Sequence, residues 1–210
     1  MNTAAGPARD ATADLWALLA ELFSFPGPLL EERVRTGSVR AAVTHLATHL
    51  EWDLGAGLDD LTACLPERPL ETEFIRLFDA PDGPATPLYT GVYSRLRRDA
   101  MEELLRFYRH FGLTVSGDAH DLPDYVPTIL EFLRFLSLRA AADIEGGSAA
   151  EAAAGDVIAR HLAPWAAQTA SRLRGRAPHP FYAALVGLVD TACEFELARL
   201  VGVEPVAAPG

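Results

Sequence analysis

His45 and His49 are the first pair along the chain whose types and spacing could do chemistry. Four residues apart on a helix, two imidazoles share one face and could share a zinc ion. A zinc metalloprotease would place a glutamate directly after the first histidine, and Leu46 stands there instead. The pair therefore reads as helix histidines partly in contact with water. A second pair, Asp124 and Glu131, could in principle serve as acid and base. Seven residues at about 1.5 Å of rise each separate their backbones by roughly 10 Å, wider than the carboxylate spacing usual in glycosidases. Asp124 also follows Pro123 at what reads as a helix start, where the helix dipole favours a carboxylate by roughly 0.3–1 kcal/mol.

Lysine is absent from the 210 residues, and neither a Gly-rich phosphate loop nor a GxSxG elbow occurs. Schiff-base chemistry and phosphate-loop hydrolysis are thereby removed. Cys64 and Cys193 belong to no CxxC or Cys/His cluster, so both are expected as buried apolar side chains, and no metal site is expected. Catalysis by Asp124, Glu131 or His120 in a small hydrolase survives as a minor alternative to a protein that works by binding.

Eighteen basic and twenty-nine acidic side chains leave a formal charge of −11. Such a potential repels phosphate backbones and anionic lipids, which argues against nucleic acid, and attracts a basic peptide. Hydrophobic residues at 50% and charged residues at 22% are the balance of a globular chain. No uninterrupted apolar run approaches the roughly 18 residues of a membrane span, and Met1–Arg9 lacks the cationic start and apolar run of a secretory signal. One cytoplasmic domain over residues 1–210 is expected.

The elements that must position these residues read as helices. Apolar positions Ala11, Leu15, Leu18, Leu19 and Leu22 put one stripe on a helix over Asp10–Phe23, stopped by Pro26 and Pro28. Ser38 is a plausible N-cap for a helix reaching Leu50, with shorter pieces over Leu29–Val34, Leu58–Cys64 and Leu70–Phe78. Five Pro and Gly residues make 79–91 a loop with aromatic residues at its exit. Val92–Phe111 reads as the clearest amphipathic helix, with Val92, Leu96, Ala100, Leu104, Phe107 and Phe111 on one face. Its charges alternate in sign at Arg98, Glu102 and Arg106, as on a solvated, salt-bridged surface. From Pro123 on, apolar residues cover most of the circumference of a central helix, leaving a polar stripe through Asp124, Thr128 and Glu131 that must meet water, a partner or a buried polar neighbour. Residues 143–156 read as a Gly/Ala-rich hinge or loop holding a weak helix. A helix over Val157–Leu173 is expected to bend near Pro164, Pro178 and Pro180 introduce the last helix, and 203–210 is expected to fray. No strand and no fixed repeat appear, so the fold class is an all-α, single-domain bundle of about nine helices.

Three segments carry a resemblance in the expected order. They are EFIRLFDAPDGPATPLYTGVY at Glu73–Tyr93, LPDYVPTILEF at Leu122–Phe132, and FYAALVGL at Phe181–Leu188, the last preceded by His161 and Trp165. Together they resemble the redox-enzyme maturation chaperones that include TorD, DmsD and NarJ, with LPDYVPTILEF closest to the nitrate-reductase branch. The resemblance implies an all-helical, non-enzymatic cytoplasmic chaperone. Its partner would be the immature catalytic subunit of a molybdopterin oxidoreductase, bound through an N-terminal twin-arginine-type signal or its remnant while the molybdenum cofactor is inserted and targeting is delayed. It implies no stably bound cofactor, leaves open a transient contact with molybdenum cofactor, guanine nucleotide or cofactor-insertion proteins, and suits a monomer or a monomer and dimer mixture.

By the same resemblance, client binding falls to Phe78, Pro84, Pro87, Tyr89 and Tyr93 in the loop, and to Asp121, Pro123, Asp124, Tyr125 and Glu131 around the start of the central helix. Each has a structural rival: Phe78 as core, Tyr89 and Tyr93 capping the core with hydroxyls in water, Glu131 paired with Arg134 or Arg95. Two departures from the family pattern weaken transfer at these positions. Tyr125 stands where many members have histidine, and Leu88 and Tyr89 stand where many have a Glu-Ser pair. A helical regulator that holds some other client is the alternative from a different class.

Overall fold

The computed structural model describes residues 5–52, 55–63, 65, 67–94, 96–114, 122–142 and 147–202, with backbone alone for 5–10 and 55–57. Among these, nine α-helices run in the order α1 (Ala5–Leu22), α2 (Pro28–Arg35), α3 (Ser38–Leu50), α4 (Leu70–Phe74), α5 (Arg97–His110), α6 (Val126–Ala142), α7 (Gly147–Val157), α8 (Ala163–Leu173) and α9 (Pro180–Val201). Among the described residues there is no strand, only two isolated bridges, as the helical periodicity requires.

Helices α1 and α6 pack along each other at the centre. Leu15, Leu19 and Leu22 of α1 and Ile129, Leu130, Leu133 and Leu136 of α6 are all at most 1% exposed, each leucine or isoleucine contributing about 1.5–3 kcal/mol by leaving water. α1 buries more than its predicted stripe, since Ala13, Trp16 and Ala20 are buried too, because α3 and α9 also pack against it. Helix α9 buries nine residues along one broad face, from Phe181 and Tyr182 through Leu188 and Val189 to Glu196, the wide apolar stripe of a helix packed deeply on the core. Edge-to-face rings tie four helices together behind the Pro-rich loop: Phe23 lies 5.4 Å from Trp165, and Phe78 lies 5.4 Å from both Phe74 and Tyr182.

Local departures from the sequence expectation have identifiable causes. Gly37, at φ +76°, caps α3, so Ser38 is its first helical residue rather than its N-cap. The helix expected from Val92 starts at Arg97; Thr90–Tyr93 forms a 3-10 turn and Ser94 is extended. Val92 and Leu96 are consequently exposed, at 39% and 63%, and the buried face of α5 is Ala100, Leu104 and Tyr108. The alternating charges do form a solvated pair, Arg98 to Glu102 at 2.8 Å. Of the Gly/Ala-rich stretch, Gly147 onward is helix α7, with Ala150, Ala153 and Ala154 buried; 143–146 lie outside the described residues, as do Cys64 and the tail from Val203. Cys193 is buried as expected. Ahead of Pro164, α7 runs into α8 through a π turn, Ile158–Leu162. The wider turn fits a proline that lacks the N–H for an i−4 bond and whose ring would crowd that carbonyl.

Candidate functional site

The loop and the start of the central helix, both singled out in the sequence, are joined by a short ladder. Val126 N–H donates to Leu88 O at 2.8 Å and Thr90 N–H to Asp124 O at 2.9 Å, so Tyr89 and Tyr125 form an antiparallel bridge with ring centroids 5.4 Å apart. Asp124 locks this junction. It is fully buried, and its Oδ2 accepts the Gly91 N–H at 3.1 Å with Arg97 Nε 3.7 Å away. A Cβ on residue 91 would come within 2.7 Å of that oxygen, so only glycine lets the backbone approach the carboxylate this closely. Tyr108 donates its hydroxyl to Pro123 O at 2.8 Å; burial, and then the charge of Asp124, push its pKa well above the usual phenol value. Trp165 Nε1–H holds the loop from the other side through Pro87 O at 3.0 Å.

This geometry sorts the candidate residues. Tyr89, Tyr93, Tyr125, Pro84 and Pro87 are half-buried and form a ledge. Arg97 sits over the Tyr89 ring at 5.6 Å and Arg172 over Tyr93 at 4.4 Å, leaving aromatic edges with cationic cover. The Tyr93 hydroxyl lies 3.2 Å from Thr169 Oγ1, and burial raises its pKa. Phe78, at 3% exposed, together with Pro123 and Asp124 is buried, so in this conformation these three support the ledge rather than form its surface. Glu131 is exposed and pairs with Arg134 at 3.3 Å, the intrahelical partner foreseen from sequence. Asp121, and His120 beside it, lie outside the described residues. His45 and His49 lie side by side on the exposed face of α3, rings 4.3 Å apart and tilted by 56°, and among the described residues no three His, Cys, Asp or Glu side chains come together as a metal cluster would need.

Sequence reasoning missed a groove of about 510 Å³ between α5 and α7. Phe107, Phe111, Ala149, Ala152 and Ala153 give it an apolar floor, Glu103 and Asp156 stand at one end, and Arg106 and His110 complete the lining. Glu103 is also met by two consecutive residues of the π turn: Arg160 Nη1 at 2.5 Å and His161 Nε2 at 3.3 Å. Burial holds the His161 pKa below its ordinary value, and the Glu103 carboxylate restores part of the loss. The signal for this groove was present as the alanine-rich stretch Ala149–Ala154, interrupted by Glu151. Composition alone reads such a run as a weak helix, and only the packing shows that its small side chains face Phe107 and Phe111 across open space.

None of the described helices is long and apolar enough to cross a membrane. The profile of the nitrate reductase delta subunit family matches residues 36–171. The chain is 33% identical over 171 residues to the selenate reductase assembly chaperone protein of Thauera selenatis, covering 78% of this chain and 77% of that one. It is 38% identical over 115 residues to the chlorate reductase assembly chaperone protein of Ideonella dechloratans, 52% of this chain and 60% of that one. Over 214 residues, 95% of this chain and 84% of the relative, it is 29% identical to the dimethyl sulfide dehydrogenase assembly chaperone protein of Rhodovulum sulfidophilum. A redox enzyme maturation protein from Archaeoglobus fulgidus shares the fold, with a TM-score of 0.51 at 17% identity over 85% of this chain and 91% of that one. The helical architecture, the three sequence segments and these similarities agree: the chain belongs to the nitrate reductase delta subunit family of redox-enzyme maturation chaperones.

Proposed function

We propose that this protein is a cytoplasmic assembly chaperone that binds the cofactor-free catalytic subunit of a molybdenum oxidoreductase through a terminal peptide and releases it once folding removes that peptide from reach. The observation that carries the reading is the acid-ended apolar groove between α5 and α7, in a chain whose relatives are named as assembly chaperones of oxyanion reductases. A groove with a small-residue floor and aromatic walls accepts an amphipathic segment in the helix-in-groove manner, and the net charge of −11 favours a basic one. The tyrosine ledge at Tyr89 and Tyr125 extends the recognition surface from the N-terminal end of α5. Binding the unfinished state alone stabilises it by mass action, with no covalent step.

Affinity purification of the tagged chaperone from its source cells, made to express the reductase but starved of molybdenum, tests this. A large catalytic subunit should co-purify, and Ala152→Trp, which fills the groove, should remove most of it while the helical circular dichroism is unchanged. Recovery of a sigma factor or kinase in its place would support the regulatory alternative, and undiminished recovery with Ala152→Trp would move the site elsewhere.

A further inference from the structure

The two carboxylates at the acid end of the groove already carry a basic side chain of the protein's own. Arg160 leaves the π turn and spans from α7 to α5, its Nη1 on Glu103 at 2.5 Å and its Nη2 on Asp156 at 2.9 Å. Both carboxylates line the acid end of the groove, and Arg160 itself is about half exposed. The fork of one guanidinium thus bridges two acids on two helices, a geometry that a lysine ammonium, a point charge, does not reproduce. Ion pairs this open to water are weak and exchangeable.

We propose that Arg160 is an internal placeholder, and that an arginine of the bound segment displaces it from Glu103 and Asp156 while apolar neighbours of that arginine settle on Phe107, Phe111, Ala149 and Ala152. The inference rests on the groove being the client site. Glu103 lies on α5 and Phe111, eight residues on, caps its C-terminal end, so the floor extends about 12 Å from the acid end, the length of two helical turns of the partner. Arg106, about one turn beyond Glu103, disfavours a second basic residue close behind the first, and His110 lines the groove a turn farther on. The partner recognised is therefore a segment with one arginine at its head and apolar side chains over the next two turns, and arginine is preferred to lysine.

Removing the placeholder should tighten binding, whereas a bridge that merely supports the fold would do the reverse. Fluorescence anisotropy of a short labelled peptide with one arginine followed by leucine and phenylalanine, beside its lysine and glutamine versions, reads this directly. The arginine peptide should bind the native chain about tenfold more tightly than the glutamine one, one charge-assisted pair being of that order. Arg160→Ala should tighten the arginine peptide several-fold and leave the glutamine peptide unchanged; Arg160→Lys should fall between. Asp156→Asn, which spares the His161 contact, should weaken the arginine peptide and erase the gain from Arg160→Ala in the double variant. Weaker or unchanged binding of the arginine peptide by Arg160→Ala, with its urea midpoint near that of the native chain, overturns the inference. If all three peptides fail to bind while the catalytic subunit still co-purifies, the placeholder is wrong and the chaperone reading stands; if neither is retained, both fall.

Discussion

Replacing Gly91 by alanine tests whether the buried junction between loop and central helix is as tight as its distances imply. The new methyl would sit 2.7 Å from Asp124 Oδ2 and 2.8 Å from Arg97 Cγ. The arginine stem is flexible and exposed and can move aside. The carboxylate cannot, because Asp124 is fully enclosed and its own carbonyl is fixed by Thr90 N–H at 2.9 Å. Either the Gly91 N–H loses a hydrogen bond to a charged acceptor, about 1.5–3 kcal/mol, or the junction is overpacked, about 1–3 kcal/mol. A combined loss of about 3 kcal/mol, divided by a urea slope of about 2 kcal/mol/M, lowers the unfolding midpoint by about 1.5 M with the slope unchanged. Gly187, on the exposed side of α9 with no atom within 4 Å of an added Cβ, is the control: Gly187→Ala should raise stability by about 0.5–1 kcal/mol through helix propensity alone. A Gly91→Ala midpoint within about 0.3 M of the native value would refute the account of Asp124 as a fixed buried lock.

Other perturbations read other parts of the fold. Glu73 is 2% exposed; burial pushes its pKa up, but hydrogen bonds from Arg76 and the His179 N–H, and the charges of Arg76 and Arg68, more than offset this and hold it below 4.5. A depressed carboxyl pKa contributes stability that is complete above the unfolded value and lost as pH falls through the folded one. Glu73→Gln should therefore cost about 2–3 kcal/mol at neutral pH, below the usual range for a buried pair because both arginines reach water, and its gap from the native chain in chemical unfolding should narrow below pH 4.5. Burial holds His161 and His179 below 6.5, with Glu103 and Glu73 restoring part; the folded state takes up these protons later than the unfolded chain, so stability declines as pH drops beneath 6.5. His179→Asn, which keeps an acceptor for the Phe181 N–H, should flatten that decline in urea midpoints taken across the range, and an unaltered slope would contradict it. Trp165→Phe removes the bond to Pro87 O at about 1–3 kcal/mol including lost volume, and hydrogen exchange should show the amides of the loop losing more protection than those of α6.

What could be read in advance was whatever depends on periodicity. The central helix, the stripe on α1 and the proline-led last helix follow from apolar spacing, and they appear where spacing puts them. What could not be read is set by single contacts between distant segments. Val92 and Leu96 fit a helical face as well as Leu104 does; they are exposed because the Asp124 bond to Gly91 and the 3-10 turn after Tyr89 take up the residues that an earlier helix start would use. The polar stripe expected through Asp124 and Glu131 is divided by the helix start at Val126: Asp124 lies ahead of α6, enclosed against Gly91, and Glu131 lies on it, in water beside Arg134. These two settings depend on residues more than thirty positions away in the first case and three in the second. Glu73 and His179 gave no signal at all, since a buried carboxylate and a backbone N–H joined across 106 positions have no local pattern.

The π turn before Pro164 shows how such a non-local arrangement can still be rooted in one residue. In a regular helix consecutive side chains point about 100° apart, so a carboxylate on a neighbouring helix ordinarily meets one of two adjacent residues. Here Glu103 meets both Arg160 and His161, one half exposed and the other buried. The turn that allows this lies two residues ahead of a proline that cannot accept the regular hydrogen-bond pattern, and π turns recur where a helix must present side chains out of phase. Pro164 thus has a consequence beyond bending the chain. It sets the phase at which α7 hands over to α8, and that phase decides which side chain reaches the acid end of the groove from inside the protein and which remains available for exchange with a partner.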